Sequence, residues 1–170
     1  DITPTYLAGH SLGEYSALVA ANSLSITEAL KLVRKRGELM EAAPNGSMSA
    51  IMGLDYNIID EICLIASQGE NSHVQCANLN SPNQTVISGH DDAVIRAQDL
   101  CIAKGAKRAI KLKVSIASHS KLMLSAADEF QKTLEAVTFS IPDINIIHNV
   151  SVDSSSSSEE IPQLLVSQLH

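Results

Sequence analysis

The 170-residue sequence predicts an α/β fold, a parallel-sheet core interrupted by a ferredoxin-like βαββαβ segment. Three observations predict it. Near the start, a short apolar run leads through Gly9-His10-Ser11-Leu12-Gly13 into a helical pattern. Over residues 47–114, apolar spacing alternates between strand and helix periods in the order β-α-β-β-α-β. On either side of that stretch the chain reads as strand and helix of one flanking unit. The division is therefore 1–46 and 115–170 for the flanking core and 47–114 for the insertion.

Pro4-Thr5-Tyr6-Leu7-Ala8 reads as a short buried strand. From Leu12 to Ala21 the residues are helix formers, with Leu12, Tyr15, Leu18 and Val19 at helical spacing. Between them, Gly-x-Ser-x-Gly suits a nucleophile better than a plain turn. A serine on a sharp strand-to-helix bend has its hydroxyl lifted clear of the backbone. Flanking glycines let neighbouring elements come close. The Leu12 N–H, at a helix N-terminus, is placed to face an oxyanion.

A second helix begins with the capping box Ser25-Ile26-Thr27-Glu28. Ile26, Ala29, Leu30, Val33, Gly37 and Met40 share one face, widened by Leu32 and Leu39. Arg36 falls inside that apolar arc. A guanidinium there needs an anionic partner, since an unpaired buried charge is very costly. A structural carboxylate and a substrate carboxylate both satisfy this requirement.

In the insertion, Met48–Leu54 reads as a strand, and Ile58, Ile59, Ile62, Ile65 and Ala66 mark a helix. Val74–Leu79 and Gln84–Ser88 are strands joined by Asn80-Ser81-Pro82-Asn83, where proline presets the turn. Asp91–Lys104 is helical. Ala109–Val114 alternates Ile110, Leu112 and Val114 with lysines, the pattern of a half-buried strand. Beyond it, Leu122, Ala126, Phe130, Leu134 and Val137 predict a helix capped by Ser118 or Ser120. His119 then lies at a helix N-terminus, where the dipole favours a neutral ring able to take a proton from serine. An ordinary capping histidine is the alternative. The other five histidines, His10 and His148 among them, have weaker claims. Serines 154–158 read as a flexible loop before a final helix with Pro162 in its first turn.

A net charge of −7 argues against general nucleic-acid binding, which needs a basic surface. Two basic clusters, Lys31-Arg34-Lys35-Arg36 and Lys104-Lys107-Arg108-Lys111-Lys113, leave room for local docking of an anionic partner. No apolar run is long enough to span a membrane, and the first residues lack the signature of a signal peptide. Cys63, Cys76 and Cys101 are odd in number, far apart and without metal-ligand spacing. Reduced buried thiols, a cytoplasmic location and no metal are expected.

"GHSLGEYSALVA", "KLVRKRGELM", "GSMSAIMGL", "ANLNSPNQTVISG", "GAKRAIKLKVSIASHSKLM" and "INIIHNV" resemble, in order, successive motifs of bacterial malonyl-CoA:acyl-carrier-protein transacylases. The resemblance implies an α/β-hydrolase-like core with a ferredoxin-like insertion. It implies transfer of malonyl from malonyl-CoA to the phosphopantetheine thiol of acyl carrier protein through a seryl ester. It assigns Ser11 as nucleophile, His119 as its partner, Leu12 as an oxyanion donor and Arg36 as the partner of the malonyl carboxylate. His10, Asn78, Asn80 and Ser118 are cleft-lining residues by the same resemblance, with turn chemistry the other reading of Asn80. No cofactor is implied, the coenzyme A thioester being a substrate.

Family members also carry an N-terminal Gly-Gln loop and a C-terminal segment whose glutamine fixes the histidine. Neither is found in these 170 residues, so the chain reads as a fragment with little or no activity alone. Ser118 occurs in malonyl-specific enzymes and in methylmalonyl-selecting polyketide domains, so acyl preference stays open. Fatty-acid synthesis is the default pathway and a polyketide system the alternative. Two other classes remain: a serine esterase or lysophospholipase, which has no need of Arg36, and a non-catalytic docking module for the carrier protein.

Overall fold

The computed structural model describes residues 3–69, 71–155 and 157–170. In chain order the elements are β1 (Tyr6–Ala8), α1 (Gly13–Ala20), α2 (Ile26–Ala42), β2 (Ser47–Met52), α3 (Tyr56–Ala66), β3 (Val74–Ser81), β4 (Gln84–Gly89), α4 (Asp91–Ala103), β5 (Arg108–Lys111), a 3-10 turn (Lys121–Met123), α5 (Leu124–Leu134), β6 (Asn145–Ile147), β7 (Ser154–Ser155) and α6 (Ile161–Ser167). They form two compact units, Asp1–Leu39 with Ala126–Gln168, and Met40–Ser125 with Leu169–His170.

The first unit holds a three-stranded sheet in the order β1-β6-β7. β1 runs parallel to β6, with Leu7 opposite Ile146, and β7 runs antiparallel. Tyr15, Leu18, Leu32, Phe130, Leu134, Ile146, Ile161 and Leu165 are fully buried. The Tyr15 and Phe130 rings meet edge-on, 6.5 Å between centroids. The linker between α1 and α2 is tied down by backbone bonds from Ser140 N to Ser23 O and from Asp143 N to Ala21 O. Those bonds fix the chain just before β6.

Four expectations are corrected here. β1 is an edge strand whose Tyr6 is 53% exposed, because only β6 pairs with it among the described residues. On α1, Leu12 is exposed; the buried face is Glu14, Tyr15, Ala17 and Leu18. On α2, Ile26 and Leu30 are exposed, and the buried stripe is Ala29, Leu32, Arg36 and Met40. The apolar arc was broad enough to admit either rotation, and Arg36 lies at the middle of the stripe. Ser154 and Ser155 form β7 rather than a loop, because β6 offers them an edge to pair with. Ser156, within the same serine run, lies outside the described residues.

The second unit contains the ferredoxin-like sheet. Its order is β3-β4-β2-β5, with every neighbouring pair antiparallel. α3 and α4 cover one face through a core that includes Ile51, Ile59, Ile62, Ile87, Val94 and Ala97. Asp55 caps α3 by accepting the Asn57 N–H at 2.9 Å. The other face carries Met48, Ala50 and Val86, with Ala77 and Leu112 packed against them. β5 ends at Lys111, short of the expected Val114, and Ile110 and Val114 are exposed. Its Ala109, not its isoleucine, joins the helical face.

The cysteines, distant in sequence, are gathered on the helical face of this sheet. All three are free thiols, two buried and Cys76 half-buried. A hydrogen bond with Cys76 together with burial pushes the Cys63 thiol up. Among the described residues no helix is long and apolar enough to cross a membrane.

Candidate functional site

Ser11 sits in the left-handed region, φ 50°, which a serine adopts only when its surroundings enforce it. The enforcement comes from hydrogen bonds and close packing. Gly13 N donates to His10 O at 2.9 Å, and Glu14 N donates to Ser11 O at 3.1 Å. Ser11 N donates to the side-chain oxygen of Asn149 at 2.7 Å. The two motif glycines differ. A Cβ on Gly9 would lie 2.1 Å from the carbonyl carbon and oxygen of Gly13, whereas one on Gly13 would meet nothing within 4 Å. Gly9 is what lets the bend close.

The backbone bonds of the turn use the N–H groups of Ser11, Gly13, Glu14 and Tyr15. None among the described residues uses that of Leu12, the residue that precedes α1. His10 is exposed beside it.

Arg36 reaches the same turn from α2. Its Nη2 donates to Ser11 Oγ at 2.9 Å and to Gln168 Oε1 at 3.4 Å. The residue is 7% exposed. Burial pulls the guanidinium down from its ordinary value. Tyr15 opposes this only as a phenolate, and its own hydroxyl is pushed up by burial, so at neutral pH it gives no such help. Arg36 forms no ion pair among the described residues. The sequence left its partner open between a structural and a substrate carboxylate; here it has a hydroxyl and an amide.

Behind Arg36 lies a polar cluster that the sequence reading missed. Gln168 Nε2 donates to Glu14 Oε2 at 2.6 Å, and Asn149 N donates to the same oxygen at 3.2 Å. His148 Nδ1 is 2.7 Å from Glu14 Oε1. Glu14, His148 and Gln168 are all buried. Tyr15 Oη, Arg36 Nε and His148 Nε2 are buried with no hydrogen-bond partner among the described residues. The sequence reading sought a glutamine beyond the chain and gave Gln168 no role. One signal for Glu14 was available: at helical spacing it falls between Ala17, Leu18 and Ala21 on the buried arc of α1, the argument that singled out Arg36.

His119, Ser118, Asn78 and Asn80 belong to the second unit. His119 is also left-handed, φ 58°. Its N–H donates to Leu169 O at 3.1 Å, and its carbonyl accepts from Gln75 Nε2 at 3.3 Å. Gln75 Oε1 accepts from Lys121 N at 3.2 Å and lies 3.2 Å from His73 Nε2. Ser120, not Ser118, is the cap; it accepts from Leu122 N and donates to Ala117 O. Ser118 is half-buried. Asn78 is half-buried on β3, and the exposed Asn80 donates to Gln84 Oε1 at 3.1 Å. No group of three or more His, Cys, Asp or Glu side chains among the described residues could hold a metal ion.

The model of the acyl transferase domain matches residues 2–165. The chain belongs to this acyl transferase family. Malonyl CoA-acyl carrier protein transacylase of Salmonella typhimurium is 46% identical over 170 residues, 98% of this chain and 54% of that protein. Its namesake in Bacillus subtilis is 46% identical over 172 residues, 99% of this chain and 54% of that protein. The structure of an acyl carrier protein S-malonyltransferase from Vibrio cholerae superposes with a TM-score of 0.96 at 48% identity, over 99% of this chain and 56% of that one. A malonyl-transacylase in complex with its type II PKS acyl-carrier protein gives 0.95 at 46%, over 99% and 55%. The acyl transferase chain therefore spans about half the length of these relatives.

Proposed function

We propose that the protein is an acyltransferase that moves a malonyl group from coenzyme A to the phosphopantetheine thiol of acyl carrier protein through an ester on Ser11. The single observation that carries this reading is the buried Arg36 guanidinium bonded to Ser11 Oγ at 2.9 Å, with no carboxylate paired to it among the described residues. A malonyl ester on that oxygen carries its free carboxylate two carbons beyond the ester carbonyl, within reach of the same planar fork. The names of the relatives support malonyl as the acyl group and a carrier protein as the acceptor. We infer fatty-acid synthesis as the pathway and the cytoplasm as its place, with 1–46 and 115–170 around 47–114 as the working division of the chain.

In this reading His119 takes the Ser11 proton as Oγ attacks the thioester carbonyl. The tetrahedral oxyanion is held by backbone donors, Leu12 N–H among them. Collapse breaks the carbon–sulfur bond, and the imidazolium returns its proton to the departing thiolate. The carrier thiol then attacks the ester, with His119 acting as base once more, and Ser11 is regenerated. Arg36 positions the acyl group. His10, Asn78, Asn80 and Ser118 line the acyl path.

The test is intact-mass spectrometry of the protein at the length of its relatives after exposure to malonyl-CoA. A malonyl adduct mapping to Ser11 and absent from Ser11→Ala is expected. An adduct elsewhere, or none, overturns the proposal. Release of that adduct to water faster than to the carrier thiol would make the protein an esterase.

A further inference from the structure

Glu14 is an odd choice for the first turn of α1 if only the helix is considered. An acid there is favourable when exposed to solvent, but this one is 1% exposed. A buried carboxylate costs several kcal/mol unless its oxygens are fully engaged. They are engaged, by His148 Nδ1 at 2.7 Å, Gln168 Nε2 at 2.6 Å and Asn149 N at 3.2 Å. Two of these three partners lead back to the serine.

The first path runs through an amide. Gln168 has one acceptor and one donor end. With Nε2 held by Glu14, Oε1 is the end presented to Arg36 Nη2, which also bonds Ser11 Oγ. Were the amide reversed, its NH₂ would face the guanidinium, donor against donor. The second path runs through Asn149, whose N–H donates to Glu14 and whose side-chain oxygen accepts from Ser11 N at 2.7 Å. One carboxylate thus fixes the aim of the guanidinium and a hydrogen bond that holds the strained backbone of Ser11. His148 occupies the remaining oxygen.

We propose that Glu14 is a positioning residue for the acyl acid: through Gln168 it orients Arg36 toward the acyl site, and through Asn149 it holds the Ser11 bend. It touches no reacting atom. This rests on the reading of Arg36 as the partner of the malonyl carboxylate. A merely structural Glu14 would slow every acyl group alike. The Asn149 path slows malonyl and acetyl alike, whereas the Gln168 path is selective, because acetyl has no carboxylate for Arg36 to hold.

The experiment measures Ser11 acylation by malonyl-CoA and by acetyl-CoA in the protein at the length of its relatives, for Glu14→Gln and, as reference, Arg36→Ala. Glu14→Gln should cut the malonyl-to-acetyl ratio of kcat/KM about tenfold, with most of the change in the malonyl KM. If Arg36→Ala collapses the ratio and Glu14→Gln leaves it intact, the Glu14 proposal fails and the reading of Arg36 stands. If Arg36→Ala leaves the ratio intact, the reading of Arg36 fails, and the proposal with it. Should Glu14→Gln not fold, Gln168→Ala cuts the same relay while leaving Glu14 two partners. A fallen ratio there supports the relay; an unchanged one overturns it.

Discussion

Ser11 and His119 both hold a positive φ, 50° and 58°, yet the two turns are braced by different means. The serine turn is closed by a glycine packed against backbone and backed by a buried carboxylate, a buried guanidinium and a buried imidazole. The histidine turn is held by neutral groups: the Gln75 amide, the Leu169 carbonyl and the Ser120 hydroxyl. Charged, buried bracing is strong and unforgiving, since removing one member strands the others in low dielectric. Neutral bracing is weaker, since losing one partner strands no charge, and at the half-buried Gln75 water can replace the lost bonds.

The largest effect expected from this contrast lies at Gly9. Gly9→Ala places a methyl group 2.1 Å from Gly13 backbone atoms, so the bend must open. A cost of about 3 kcal/mol or more is expected, read as a lower denaturation midpoint together with loss of Ser11 acylation. Gly13→Ala meets nothing and exchanges a flexible residue for the best helix former at the start of α1. It should change stability by less than about 1 kcal/mol, on the stabilising side. Equal damage from both would contradict the asymmetry of the motif.

At the histidine turn the effect should be smaller and graded. Gln75→Ala removes the bonds to His119 O and Lys121 N, worth about 1–2 kcal/mol together. The acylation rate should fall about tenfold, and Gln75→Glu, which keeps an acceptor for Lys121 N, should fall less. A drop as steep as that at Gly9 would show that the two turns are equally rigid.

The smallest effect belongs to the surface. Asp92 is held down to about 2 by hydrogen bonds from Ser72 and Arg96. Its folded value lies below its unfolded one, so its contribution is present above the unfolded value and is lost as pH falls through about 2. Asp92→Asn should flatten the decline of the melting temperature over that acid range and change little at neutral pH. An identical decline in both proteins would remove Asp92 from acid stability.

Legibility in the sequence followed the range of the physics. The Ser11 bend, the Ser25 cap of α2 (Glu28 N to Ser25 Oγ, 3.2 Å) and the βαββαβ order are set by residues close together in the chain, and each was readable. Arg36 was readable because a charge on an apolar face is a local contradiction. What escaped depends on distant partners. Gln168 looks like an ordinary polar residue after a short helix until Glu14 and Arg36 come to it across more than 130 residues. His148 is one of six histidines, and only the Glu14 carboxylate distinguishes it. β7 escaped because a run of serines has no strand propensity of its own and pairs only where an edge is offered.

That Arg36 has a hydroxyl and an amide, and no ion pair among the described residues, has a thermodynamic corollary. Any small dicarboxylate that settles beside it relieves electrostatic stress in the native state and has no equivalent seat on the unfolded chain. Folding and occupancy are therefore linked: a free acid at a hundred times its dissociation constant adds about 2.7 kcal/mol to stability. Malonate should raise the melting point of the protein, acetate should raise it far less, and Arg36→Ala should erase the difference, which makes a simple heat-denaturation curve a gauge of acyl preference.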